Sequence, residues 1–191
     1  MASKIFGVFY QIIPSAIGEI GIIWGQKNAA PLIIHIMLPQ KDIPVTERII
    51  KNWPDALERS HENLKKLFLQ IQNFLEGFPV SFSLKFIDMN LCYDFQKRVL
   101  LETIKIPRGK VISYGRLADR ILAPKAARAV GSALARNPFP LIIPCHRVIK
   151  STRYPGNFGG GPETKRFLLK MEDVPSNAKG KISPEKFLIG S

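Results

Sequence analysis

Apolar residues open the chain in three β-rich runs, Ile5 to Ile13, Gly18 to Trp24 and Leu32 to Leu38, separated by Pro14-Ser15 and by the stretch from Gly25 to Pro31. That pattern predicts three successive strands. The period then lengthens. Leu64, Leu67, Phe68, Ile71, Phe74 and Leu75 recur at three- and four-residue intervals, which predicts an amphipathic helix stopped at Gly77. A shorter helix is expected over Val45 to Trp53, closed by Pro54. This half holds no chemical motif: His35 alternates with apolar residues and His61 precedes a helix, which suits structural or surface roles.

A boundary is expected between Ser83 and Asp94, where the β-like run gives way to a helix from Asp94 to Ile104 with Asp94 as its N-cap. The turn Pro107-Arg108-Gly109-Lys110 follows, and then two short helices. Ser113 caps the first, whose Tyr114, Leu117, Ala118 and Ile121 share a face; Pro124 opens the second, which ends before Asn137-Pro138. Helix, tight turn and helix make a helix-turn-helix. On the second helix Ala126, Val130, Ala133 and Leu134 form an inner stripe, leaving Lys125, Arg128, Ser132 and Arg136 on a slim cationic face that a sugar-phosphate backbone could approach. The reading is an α/β (α+β) chain with a first domain over 1–88, a mostly helical domain over 89–175 and a basic tail over 176–191.

Charge sharpens that division. Residues 1–95 hold nine Lys/Arg and nine Asp/Glu, whereas residues 96–191 hold nineteen and six, so the whole formal excess of +13 falls in the second half. Such asymmetry favours a polyanionic partner for that half. Two cysteines, Cys92 and Cys145, are too few for a disulfide framework and fit a reducing compartment. Lys4 ahead of the apolar stretch Ile5 to Ile13 invites comparison with a signal peptide, but Tyr10 and Gln11 interrupt it and Pro14 ends it. No run approaches the roughly 18 apolar residues of a membrane span. The expectation is a soluble intracellular protein, cytoplasmic or, in a eukaryotic host, nuclear.

Candidate chemistry gathers at Pro144-Cys145-His146-Arg147, which follows Leu141-Ile142-Ile143. A thiolate is a strong nucleophile, and a nearby base raises its population at neutral pH. Neighbouring residues of a strand point to opposite faces, so Cys145 and His146 can cooperate only through a turn or a bridging water. Pro144 makes an irregular backbone plausible there.

Taken together, Val111-Ile112-Ser113-Tyr114-Gly115, Ala127-Arg128-Ala129-Val130-Gly131, Asn137-Pro138, Ile143 to Val148, Gly156-Asn157-Phe158-Gly159-Gly160-Gly161 and Leu168-Leu169 with Glu172 resemble the O6-alkylguanine-DNA alkyltransferase family over about residues 93–174. The resemblance implies a ribonuclease-H-like three-stranded sheet with helices, then a winged helix-turn-helix-like domain. It implies irreversible, once-only transfer of an alkyl group from O6 of guanine to the protein's own cysteine. The partner would be double-stranded DNA holding O6-alkylguanine, bound through the minor groove by a monomer without cofactor.

Residue by residue, Cys145 matches the acceptor, His146 the base acting through water, and Glu172 the carboxylate orienting that imidazole. Asn137 matches the hinge residue, Tyr114 the residue that crowds the phosphate and gives a proton to the leaving guanine, and Arg128 the finger that fills the vacated stack. Lys125, Ala127, Ser132 and Arg136 join the DNA-facing set. Val148, Asn157, Phe158, Gly159 and Gly160 match the walls of the pocket. Some relatives carry serine where this chain has Gly159, and some hold zinc in the first domain through Cys and His; the first half of this chain has one cysteine at its very end, Cys92, and two scattered histidines, which predicts no zinc. Base extrusion costs a few kcal/mol, which the Arg128 finger and a snug pocket would offset. Three alternatives stay open: a lesion-binding protein without chemistry, a helix-turn-helix regulator and a Cys-His hydrolase. Lys179 and Lys181 suggest that the tail makes a loose backbone contact.

Overall fold

The structure, a computed structural model, describes residues 5–28 and 30–188. The outermost ends of the expected first domain and tail, residues 1–4 and 189–191, lie outside the described residues. The chain divides into two compact units. One comprises the residues up to Leu91 with Pro138–Ile142; the other comprises Cys92–Asn137 with the residues from Ile143 onward.

In the first unit β1 (Phe6–Ile13), β2 (Ile20–Lys27) and β3 (Ala30–Met37) form an antiparallel meander, in the order β3-β2-β1-β4. The fourth strand was not expected. It is β4 (Leu57–Glu58), two exposed residues parallel to β1 and too short to leave a pattern in the sequence. In the central strand Ile20, Ile22, Ile23 and Trp24 are all fully buried, because both faces of β2 are covered. Helix α1 (Val45–Asn52) sets Val45 and Ile49 against Tyr10, Ile23 and Met37. Gly21 permits that approach: a Cβ there would stand 2.7 Å from Ile49 Cδ1. Helix α2 (Glu62–Leu75) buries all six residues of its predicted stripe and stops before Gly77, whose φ of +96° costs glycine little. Segment Pro138–Ile142 returns to this unit, where Ile36 N–H donates to Pro138 O at 2.8 Å.

The second unit begins with α3 (Asp94–Ile104). Tyr93 rather than Asp94 holds the cap position; Asp94 lies in the first turn, where its charge complements the helix N-terminus. The short strand β5 (Ile112–Ser113) leads directly into α4 (Tyr114–Arg120), and Ser113 Oγ caps that helix by accepting from Arg116 N–H at 3.2 Å. Helix α5 is shorter than expected, Ala127–Ala135 rather than starting at Pro124. Leu122 and Lys125 take φ of +55° and +67°, left-handed values that make the turn and delay the helix. Gln96 closes the far end, donating to Ala133 O at 3.1 Å and Arg136 O at 2.8 Å, carbonyls left open by the end of α5.

Strand β6 (Val148–Ile149) pairs in parallel with β5, and α6 (Gly161–Met171) follows. The segment that follows α6 is anchored by apolar packing. Ile182 is fully buried with Val111, Ile149, Leu169 and Val174, and Phe187 packs against the same cluster. Among the described residues no helix is long and apolar enough to cross a membrane.

Candidate active site

Pro144 ends the apolar run, and Cys145–Arg147 form a single 3-10 turn held by Arg147 N–H donating to Pro144 O at 2.9 Å. That turn is what the Cys-His pair requires. Cys145 is 5 % exposed, and the exposed part lies in the wall of a cavity of about 840 Å³. Asn137, just past α5, points its amide at the sulfur: Nδ2 donates to Cys145 Sγ and to Ile143 O, each at 3.2 Å. Burial pushes the Cys145 thiol above its ordinary range. The Asn137 amide, the charge of Lys165 and backbone N–H groups pull the other way.

Behind the thiol, His146 and Glu172 are both fully buried, with His146 Nε2 3.2 Å from Glu172 Oε1. Arg147 clamps the same carboxylate from two sides, Nη2 to Oε1 at 2.7 Å and Nε to Oε2 at 2.9 Å, while its Nη1 donates to Ile106 O at 2.6 Å. Burial alone would raise the Glu172 pKa; the hydrogen bonds from His146 and Arg147 outweigh it and hold the value at about 2. Burial lowers that of His146, against the pull of Glu172. A carboxylate so firmly ionised fixes the proton of a neutral imidazole on Nε2 and leaves Nδ1 as the basic nitrogen.

A second buried charge completes the surroundings. Lys165 is 1 % exposed; its ammonium donates to Val148 O at 2.7 Å and lies 5.8 Å from the centre of the Tyr114 ring. Burial brings its pKa down to about 8, against the attraction of Cys145. Tyr114 is pushed up to about 12 by burial and by the sulfur's charge, so its phenol keeps its proton throughout the neutral range.

Of the residues singled out from sequence, Tyr114, Ala127, Arg128, Ser132, Cys145, Asn157, Phe158 and Gly159 share the cavity wall. The others stand elsewhere. Val148 is fully buried and Gly160 caps α6, so neither lines the cavity. Lys125 sits in the left-handed turn before α5 rather than on the helix. Arg136, at the end of α5, is engaged by Tyr93 Oη at 2.9 Å and Ser132 Oγ at 3.2 Å. The single cationic face expected for α5 therefore reduces to Arg128 and Ser132, flanked by Lys125 and Arg136.

Sequence reasoning assigned no part to Arg147, Lys165 or Lys150, the last of which lines the cavity with Ser151 and Thr152. A signal for Lys165 was present. It falls in phase with Leu168, Leu169 and Glu172, so two charges occupy the apolar stripe of one amphipathic helix. No three His, Cys, Asp or Glu side chains gather as metal ligands among the described residues.

Residues 94–174 match the profile of the 6-O-methylguanine DNA methyltransferase, DNA binding domain. The chain is 37% identical to the methylated-DNA–protein-cysteine methyltransferase of Methanothermobacter thermautotrophicus, over 82% of this chain and 80% of that one. It is also 37% identical to the Methanosarcina mazei protein of that name, over 87% of this chain and 98% of that one. The fold is similar to the crystal structure of Mycobacterium tuberculosis O6-methylguanine methyltransferase, with TM-score 0.71 and 29% identity over 90% of this chain and 96% of that one. An M. tuberculosis structure solved in complex with DNA gives TM-score 0.68 and 30% identity over 89% of this chain and 96% of that one.

Proposed function

This chain belongs to the methylated-DNA–protein-cysteine methyltransferase family, and from that premise we propose that Cys145 accepts the alkyl group of O6-alkylguanine in DNA, irreversibly and once per molecule. One observation carries the assignment. Cys145, almost wholly buried, lines a cavity whose walls also hold residues of the helix-turn-helix and of the Asn157 to Gly159 loop.

The roles follow from charge and geometry. His146, neutral and oriented by Glu172, takes the thiol proton at Nδ1 through a water. The thiolate then forms the sulfur-carbon bond as the carbon-oxygen bond breaks, and the bonding pair leaves with the guanine. Tyr114, protonated to about pH 12, donates a hydrogen bond to the charge developing on that base. Lys165 holds a positive charge near both the thiolate and the phenol. Its help to the thiolate is bounded, because ionising a thiol of ordinary pKa completely at neutral pH would gain only about 2 kcal/mol. The remainder must come from aligning sulfur, carbon and oxygen and from stabilising the leaving group.

An O6 substituent inside a stacked duplex is out of reach of this sulfur, so the nucleotide must be everted into the cavity. Arg128, on the first turn of α5 and in the cavity wall, fills the vacated stack. The surplus cations of the second half hold the phosphates, as a monomer on double-stranded DNA. A lesion-binding protein without chemistry would have no use for a thiol met by the Asn137 amide and set in the field of a buried ammonium. Intact-protein mass spectrometry after incubation with an O6-methylguanine duplex tests the reading. One methyl group is expected on the peptide bearing Cys145, with no second turnover; repeated turnover, or methyl elsewhere, overturns it.

A further inference from the structure

The profile match stops at residue 174, yet the next fourteen residues are held to the second unit by backbone hydrogen bonds and apolar packing. They are bound to two elements that carry cavity-lining residues, the turn that holds Lys150 to Thr152 and the strand that leads to Tyr114. Asn177 organises the first contact. Its Oδ1 accepts from Lys179 N–H and Lys181 N–H, each at 3.0 Å; Gly180 N–H donates to Asn177 O at 2.8 Å, and Asn177 N–H to Lys181 O at 2.9 Å. Gly180 takes φ of +74°, which closes the loop. Ser176 and Ile182 then face each other as an antiparallel bridge.

From this closed loop Ile182 N–H donates to Arg153 O at 2.9 Å, and Lys181 Nζ sits 5.4 Å from the centre of the Tyr154 ring. Arg153 belongs to a tight turn. Arg153 N–H donates to Lys150 O at 2.9 Å, Lys150 N–H to Tyr154 O at 3.0 Å, and Arg153 has φ of +72°, a value disfavoured for arginine. Lys150, Ser151 and Thr152 of that turn line the cavity. A strained, exposed turn of this kind opens easily unless something outside it fixes its backbone.

The far end of the segment pairs with the strand that leads into Tyr114. Lys186 O accepts from Val111 N–H at 2.9 Å, and Leu188 N–H donates to Val111 O at 2.8 Å, so Phe187 lies in parallel beside Val111 as an added strand position. Val111 leads through β5 to Tyr114, three residues on. Between these two anchors, Ile182 and Phe187 are packed into the same apolar cluster as Val111, Ile149 and Leu169.

We propose that residues 176–188 are a positioning strap for the acceptor cavity, holding the Lys150–Tyr154 turn and the Val111–Tyr114 strand at their working separation. It rests on the reading of Cys145 as the acceptor. The strap touches neither sulfur nor the other cavity-lining groups, so it acts by keeping the cavity in its binding shape. Its loss slows capture of substrate by each folded molecule rather than reducing the number of folded molecules.

Self-inactivation makes that distinction measurable, because the final extent of labelling counts competent molecules while the rate constant reports on each. The probe is free O6-benzylguanine, which carries no phosphate and so ignores the lysines of the segment. Wild type, Asn177→Ala and a chain ending at Pro175 are labelled and followed by intact mass, with hydrogen exchange of the 150–154 amides measured in parallel. Expected are full final labelling with a rate at low probe concentration about threefold lower in Asn177→Ala and about tenfold lower in the shortened chain, and faster exchange at 150–154 with α5 unaltered. Should the shortened chain fail to fold, Asn177→Ala decides. A wild-type rate in Asn177→Ala, an unchanged exchange pattern, or a rate falling only in proportion to final labelling overturns the strap. Wild type that takes no label would instead sink the acceptor assignment, and the exchange arm would still judge the strap.

Discussion

All buried polar and charged side chains among the described residues, Gln96, Thr103, Ser113, Asn137, His146, Lys165 and Glu172, lie in the second unit, whereas the first buries the Ile and Trp side chains of its sheet and the Leu and Phe side chains of α2. The first unit is stabilised by removing apolar surface from water, a non-directional force that tolerates exchange of one aliphatic residue for another. The second sets charges in a low-dielectric interior, where each must be met by an oriented partner. Such an arrangement is costly for stability. It gives a thiol, an imidazole and a phenol their protonation states, and that is where the chemistry sits.

The contrast can be broken most severely at the sulfur. Cys145→Ala is expected to abolish transfer to the protein while leaving duplex binding, read by gel shift, largely intact; transfer that persists would show that the acceptor is another residue. Arg147→Met comes next, because it strands the Glu172 carboxylate without its clamp. Removing one partner of a buried ion pair costs about 3–5 kcal/mol, and urea denaturation should show that loss. Acid sharpens the same point. The Glu172 pKa is held at about 2 in the fold, so its contribution is fully present above its ordinary value near 4.5 and is lost as pH falls through about 2. In the first unit burial, with the charge of Arg48, holds the pKa of His35 down to about 4, so its neutral form favours the fold above about 6.5 and that contribution is lost as pH falls through about 4. Acid titration by hydrogen exchange should therefore loosen the strand around His35 first and break the Arg147–Glu172 ion pair only as pH approaches about 2.

Ile23→Ala probes the other side of the comparison. An apolar cavity in the first unit should cost about 2–5 kcal/mol while leaving the rate constant per labelled molecule unchanged; a slower rate constant would mean that the first unit takes part in transfer. Lys165→Met is milder for stability and sharper for chemistry. With the ammonium gone the thiolate loses a stabilising charge, so transfer at neutral pH should fall about tenfold and the pH-rate profile should move to higher pH. A uniform loss at every pH would reduce Lys165 to packing. Arg128→Ala is the smallest effect, expected to weaken transfer from duplex more than from single strands, since eversion from a stack is the cost it offsets.

The two units also differ in how well the chain announces them. The main strands and helices of the first unit follow from the sequence pattern, because β2 and α2 bury the residues that it marks; β4 escaped, its two residues being exposed and its pairing non-local, as did the 3-10 turns Leu84–Phe86 and Met89–Leu91. In the second unit the Ser113 cap and the Cys-His turn were legible as local backbone chemistry. The start of α5 was not, since left-handed residues at Leu122 and Lys125 have no glycine to mark them. Arg147 and Lys165 were missed for a related reason. Their partners are a carboxylate twenty-five positions away and a backbone carbonyl seventeen away, and separation along the chain conceals what burial enforces. The apolar anchors of the tail, Ile182 and Phe187, follow neither a helical nor a strand period, so their burial was not legible in the sequence.

The return of Pro138–Ile142 to the first unit bears on how this protein is made. Phe139 and Leu141 are buried within a unit whose other residues end at Leu91, so a ribosome must release nearly fifty further residues before the amino-terminal sheet receives its last piece. A nascent chain halted before that point would display unsatisfied apolar surface. Severing the gene at the apparent boundary should accordingly yield a first fragment that aggregates, until a peptide spanning residues 138–142 is supplied.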